Sequence, residues 1–114
     1  MHRGSCHCGA ISFSVEGDFE QVMECNCSHC SRKGYLLWQV ERDKVAVNAG
    51  DAAISTYRFN RHVIEHCFCG NCGCAPFGFG TAPDGRQLAA INIRCLEGVN
   101  LSSVKRVPVD GRSF

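Results

Sequence analysis

Ten cysteines in a chain of 114 residues constrain the fold more than any other feature. Nine of them fall into three clusters, Cys6-x-Cys8, Cys25-x-Cys27-x-x-Cys30 and Cys67-x-Cys69-x-x-Cys72-x-Cys74, with Cys95 alone. Such a density means either a disulfide framework in an oxidising compartment or metal sites in a reducing one. The start, Met1-His2-Arg3-Gly4-Ser5-Cys6-His7-Cys8, has no apolar h-region and no small-residue cleavage site, so export is not expected. No apolar run is long enough to cross a bilayer. The expectation is a reducing cytoplasm, where thiols stay free to take a metal.

In a C-x-x-C turn the backbone reverses, both sulfurs converge, and successive amide N–H groups can point at the thiolates and offset their charge. A C-x-C pair in extended chain puts both sulfurs on one face. Four such thiolates close a tetrahedral zinc site, which can supply on the order of 10 kcal/mol of folding free energy. Spacing leaves the pairing of the clusters open. The middle cluster has only three sulfurs and needs a fourth ligand from His29, another cysteine, solvent or substrate; an open fourth position marks a catalytic rather than a structural zinc. His7, His29 and His66 neighbour cysteines and are candidate ligands, although an exposed or core histidine is the commoner fate. Cys67, Cys74 and Cys95 exceed what two sites need and are expected as buried, inert thiols.

The length suits one domain, spanning residues 1–114. With a formal net charge of +1 and no long block of one sign, nothing provides the field that nucleic acid or an anionic membrane would reward. Short runs rich in β-branched and aromatic residues read as strands: 10–16, where Ile11, Phe13 and Val15 share one face, then 35–40, 44–47, 54–59, 63–67 and 88–95. Turn chemistry separates them at Glu16-Gly17-Asp18, Asn48-Ala49-Gly50-Asp51, Pro83-Asp84-Gly85 and Asp110-Gly111. An antiparallel sheet or pair of sheets is expected. Residues 102–106 read as one helical turn, and any helix is expected to be short. Phe77-Gly78-Phe79-Gly80 reads as core and turn.

Three stretches together carry a resemblance: Gly4-Ser5-Cys6-His7-Cys8-Gly9-Ala10-Ile11-Ser12-Phe13, Cys25-Asn26-Cys27-Ser28-His29-Cys30, and Phe68-Cys69-Gly70-Asn71-Cys72-Gly73. Asn92-Ile93-Arg94-Cys95-Leu96-Glu97-Gly98-Val99 and Asp110-Gly111-Arg112 extend it towards the end. The chain resembles the glutathione-dependent formaldehyde-activating enzyme family, which includes the centromere protein V domain. The resemblance implies an all-β fold, the β-tent (Mss-four-like), with antiparallel sheets pinned by a structural zinc. By matched motif it places Cys6, Cys8, Cys69 and Cys72 around that ion, and Cys25, Cys27 and Cys30 around a second, catalytic zinc, making two ions per chain. It further implies a carbon–sulfur lyase that binds a thiol such as glutathione at the open zinc and adds or removes formaldehyde or a similar small electrophile.

Arg32 and Lys33, directly after Cys30, are candidates for charge compensation at the second zinc. Arg58, Arg61, His62 and Arg94 are candidates to meet substrate carboxylates, although solvated surface charge is their commoner role. Two features depart from the family pattern. Cys67-x-Cys69-x-x-Cys72 repeats the spacing of the middle cluster and offers another ligand set, and the chain has little length beyond a minimal core. The competing classes are a non-catalytic, zinc-stabilised protein-binding module, which a completed four-ligand second site would favour, and thiol redox or metal storage by the surplus cysteines.

Overall fold

The alternation expected around residues 10–16 is realised in full. Ile11 and Val15 are 0% exposed and Phe13 is 4% exposed, whereas Ser12 and Ser14 on the other face are half-buried. The computed structural model describes residues 1–50, 53–59 and 64–113. Among these the strands are β1 (His2–Ser5), β2 (Ile11–Val15), β3 (Gln21–Cys25), β4 (Leu37–Glu41), β5 (Val45–Ala49), β6 (Ile54–Tyr57), β7 (Glu65–Cys69), β8 (Phe77–Thr81), β9 (Gln87–Asn92) and β10 (Lys105–Val109), with one α-helix, α1 (Ser28–Lys33). The fold is mainly β, as expected. Among the described residues no helix is long and apolar enough to cross a membrane.

The strands form two sheets, a three-stranded one in the order β1-β2-β5 and a seven-stranded one in the order β10-β3-β4-β9-β8-β7-β6. Their facing sides make the core. Phe13 of β2 meets Phe77 of β8 edge-to-face at 5.3 Å between ring centroids, and Ile91 of β9 and Leu36 are fully enclosed beside them. Burying each such side chain contributes roughly 1.5–3 kcal/mol. The Phe77–Gly80 stretch is therefore core and strand rather than core and turn.

The expected antiparallel pairing holds among the described strands with one exception: β10 runs parallel to β3, with Lys105 opposite Gln21 and Val109 opposite Cys25. A parallel pair requires a long crossover, and the chain between β3 and β10 supplies it. The helical turn expected over 102–106 is also corrected. A 3₁₀ turn covers only Leu101–Ser103, capped by the Asn100 side chain accepting from the Ser102 N–H, and the chain then enters β10. Pro108 is tolerated there because β10 is an edge strand. The expected strand over 88–95 ends at Asn92 and gives way to a 3₁₀ turn, Ile93–Cys95. Of the strand expected over 63–67, Val63 lies outside the described residues, as does Asp51 of the turn expected at 48–51.

Candidate metal centre

Cys6 follows β1 and Cys8 lies in the turn leading to β2; Cys69 closes β7 and Cys72 lies in the turn after it. The antiparallel sheets thereby bring residues far apart in the chain to one place. The four sulfurs lie within 4.8 Å of one another. Cys6 Sγ and Cys8 Sγ are 3.7 Å apart, and Cys8 Sγ and Cys69 Sγ are 3.6 Å apart. A zinc ion with Zn–S distances of about 2.3 Å in a tetrahedron requires sulfur–sulfur edges of about 3.8 Å, so the cluster fits such an ion.

Backbone N–H groups prepare these sulfurs for negative charge. Ile11 N donates to Cys6 Sγ at 3.4 Å, and Asn71 N and Cys72 N both donate to Cys69 Sγ at 3.4 Å. The Cys72 thiol is held down to about 5 by backbone N–H donation from Cys74 and then Cys8. Both loops close on a glycine in the left-handed region, Gly9 at φ 83° and Gly73 at φ 82°, where a side chain would be strained.

The second cluster sits at the C-terminal end of β3. Cys25 is the last residue of that strand, Cys27 is the N-cap of α1, and Cys30 lies in the first turn of the helix, 8% exposed. Their sulfurs again lie within 4.8 Å of one another. Cys30 N donates to Cys27 Sγ at 3.2 Å and Cys27 N to Cys25 Sγ at 3.5 Å. Burial opposes ionisation of Cys27, yet the N–H of Cys30 and the other donors bring its thiol below the ordinary value. Burial, followed by the neighbouring Cys27, pushes the Cys30 thiol up. A centre of positive charge would reverse that penalty, and this donor set of soft sulfurs suits zinc.

The parallel β10 has a consequence here that spacing did not signal. It carries Asp110, Gly111 and Arg112 over the second cluster. Asn26 Nδ2 donates to Asp110 Oδ1 at 2.9 Å, and Arg112 N donates to Asn26 Oδ1 at 2.9 Å. A Cβ on Gly111 would collide with Cys25 Sγ and lie 3.2 Å from Cys27 Cβ. Only glycine lets the chain pass this close. Asp110-Gly111-Arg112 is a motif of the family resemblance, and its position over the cluster follows from the parallel β10.

Neither His7, His29 nor His66 joins a cluster among the described residues, and the second cluster keeps three ligand residues rather than four. His7 is exposed. His29 instead packs its ring against His66 at 4.2 Å, Phe59 at 5.2 Å, and Tyr35 and Tyr57 at 5.6 Å each. Its Nδ1 is buried with no hydrogen-bond partner among the described residues. Burial, then His29 and Lys33, pushes His66 down to about 4. Cys67, Cys74 and Cys95 stand outside both clusters. Cys67, 2% exposed in the main core, has its sulfur outside the groups that come together, so the alternative ligand set with Cys67 is not assembled. Burial pushes Cys95 up to about 11, that of an inert thiol.

Two pockets adjoin the second cluster. One, of about 370 Å³, is lined by Cys27, Ser28, Ser31, Arg32, Phe59, Gly111 and Arg112. The other, of about 460 Å³, has walls of His29, Tyr35, Tyr57, His66 and Phe68, with Arg32 and Lys33. Arg32 Nη1 donates to Ser28 O at 2.8 Å, and Lys33 Nζ lies 5.4 Å from the centre of the Phe68 ring. Arg58 is engaged with Glu65 at 2.6 Å, and Arg94 Nε donates to Gly34 O at 2.9 Å, so neither lines these pockets. Arg61 and His62 lie outside the described residues.

The family model described as glutathione-dependent formaldehyde-activating enzyme matches residues 1–106. The crystal structure of a Rhodobacter sphaeroides protein superposes with a TM-score of 0.78 at 29% sequence identity, covering 92% of this chain and 99% of that one. With the cysteine clusters assembled as described and this match across most of its length, the chain belongs to the glutathione-dependent formaldehyde-activating enzyme family.

Proposed function

We propose that Cys25, Cys27 and Cys30 hold a zinc ion with one position open to a small thiol such as glutathione, and that the chain adds formaldehyde or a similar small electrophile to that thiol, or removes it. Cys6, Cys8, Cys69 and Cys72 hold the second, structural ion, and residues 1–114 act as one domain in a reducing cytoplasm. The observation that carries the reading is the three-sulfur cluster beside a pocket walled by Cys27 and two arginines. Zinc there supplies a positive centre that keeps a thiol in its ionised, nucleophilic form near neutral pH.

The protein's own groups do the rest. The N–H groups of Cys27 and Cys30 spread the negative charge of the cluster, and Arg32 and Arg112 are placed to attract the carboxylates of a glutathione-like tripeptide. The pocket volume falls within the range of about 300–1,000 Å³ typical of small-molecule sites. In the forward direction the thiol sulfur bonds to the carbonyl carbon, the C=O π pair moves to oxygen, and that oxygen takes a proton. The reverse step breaks the carbon–sulfur bond, which is the lyase direction. The test mixes zinc-loaded protein with glutathione and formaldehyde and follows exchange between free and adduct species by NMR. Exchange faster than in buffer supports the reading; a background rate with the second cluster loaded removes it.

A further inference from the structure

Neither glutathione nor formaldehyde accounts for the larger of the two pockets. Formaldehyde is a single carbon, and glutathione, built from glutamate, cysteine and glycine, has no large apolar side chain to set against aromatic walls. Yet a pocket of about 460 Å³ is walled by the rings of Tyr57, Phe68, His29 and His66. The two pockets are neighbours: Arg32 lines both, and the Phe59 ring of the cysteine pocket stacks on His66 at 5.2 Å and sits 5.2 Å from His29. The floor is basic as well as aromatic. Among the described residues neither Arg32 nor Lys33 is ion-paired with a carboxylate, and both line this pocket.

We propose that the electrophile this chain handles carries a planar aromatic group with an anionic substituent, its ring lying among Tyr57, Phe68, His29 and His66 and its charge meeting Arg32 and Lys33. This rests on the thiol chemistry proposed above and names its second reactant. Aromatic rings stack in offset or tilted pairs with centroids about 4.5–7 Å apart, and a ligand ring laid against the open face of this cluster would meet it in that geometry and add its buried area. A carboxylate at the basic end is recognised by charge-assisted hydrogen bonds. The bond changes are those of any aldehyde: the S–H bond gives up its proton and the sulfur bonds to the aryl aldehyde carbon, while the C=O π pair moves to the oxygen and takes that proton, through solvent, as the O–H bond. Nothing is oxidised or reduced.

The test measures binding of two unreactive thioethers to the zinc-loaded protein by calorimetry, S-(4-carboxybenzyl)glutathione and S-methylglutathione. The aromatic conjugate is expected to bind at least about tenfold tighter, and Tyr57→Ala is expected to erase that preference while Tyr57→Phe restores it. Tyr57 is 51% exposed, so its truncation leaves the core intact. Equal affinities for the two thioethers overturn the aromatic assignment. Exchange of glutathione with formaldehyde and with 4-carboxybenzaldehyde, followed on the same preparation, separates the two readings: exchange with equal thioether affinities refutes the aromatic group alone, whereas background rates with both aldehydes refute the thiol chemistry and this inference with it.

Discussion

Replacing Gly111 by alanine tests whether the C-terminal segment and the second cysteine cluster form one unit. The new methyl would collide with Cys25 Sγ, and two movements can relieve it. Cys25 can turn away from its partners, or the segment after β10 can lift. With a metal bound, Cys25 is fixed and the segment must lift, breaking the Asn26–Asp110 and Arg112–Asn26 hydrogen bonds. Both bonds join exposed residues, so each contributes about 0.5–1 kcal/mol, near the low end for intramolecular bonds. Without metal, Cys25 turns at little cost. The difference, about 1–2 kcal/mol, is lost from metal affinity, a weakening of roughly five- to thirtyfold. Competition with a chromophoric zinc chelator reads this as one weakened site beside one of unchanged affinity. Gly50→Ala, whose methyl would meet nothing within 4 Å, serves as the control. Wild-type affinity at both sites in Gly111→Ala would refute the coupling.

Ile91 is fully enclosed between Trp38 of β4 and Phe77 of β8 in the sheet register, so Ile91→Ala should cost about 2–5 kcal/mol in urea unfolding; a loss under about 1 kcal/mol would mean that the core is not packed as described. His66, facing His29, Lys33 and the Phe59 ring, is pushed down to about 4, so the unfolded chain takes the proton first. Its contribution is full above about 6.5 and is lost as the pH falls towards 4. His66→Phe should therefore lose less stability than wild type between pH 7 and 5, and an identical loss would contradict the burial of that ring. Cys27→Ser should stay folded and abolish exchange, whereas Cys69→Ser should unfold the chain; circular dichroism and the NMR exchange assay together would show the division of roles to be wrong if both variants lose activity alone.

Local pattern made part of this molecule legible. The period-two alternation of Ile11, Phe13 and Val15 can satisfy only a half-buried strand, and the Cys69-x-x-Cys72 and Cys27-x-x-Cys30 spacings force sulfurs together through a single turn. Long-range choices were not written locally. Nothing within Lys105–Val109 states that it pairs parallel with Gln21–Cys25, and Pro108 reads as a strand breaker until the strand is known to lie at an edge. Helix α1 is six residues, too few for a period, and is defined by its Cys27 cap and the left-handed Gly34. The union of Cys6 and Cys8 with Cys69 and Cys72 came from resemblance to a family, since spacing allows other sets; the sheets then bring those four sulfurs together. The aromatic pocket was illegible because its rings come from α1, the chain just after it, β6 and β7, which only the folded sheet gathers.

Sulfur gathered into two clusters of different completeness underlies the proposed chemistry. Anomalous difference density at the zinc edge, from crystals of protein expressed without added metal, tests this most directly. The expected map has two peaks, one enclosed by Cys6, Cys8, Cys69 and Cys72 and the other held by Cys25, Cys27 and Cys30 with a non-protein ligand in its fourth position. Sulfur–sulfur bonds at these places, an absence of both peaks, or a fourth protein ligand on the second ion would contradict it.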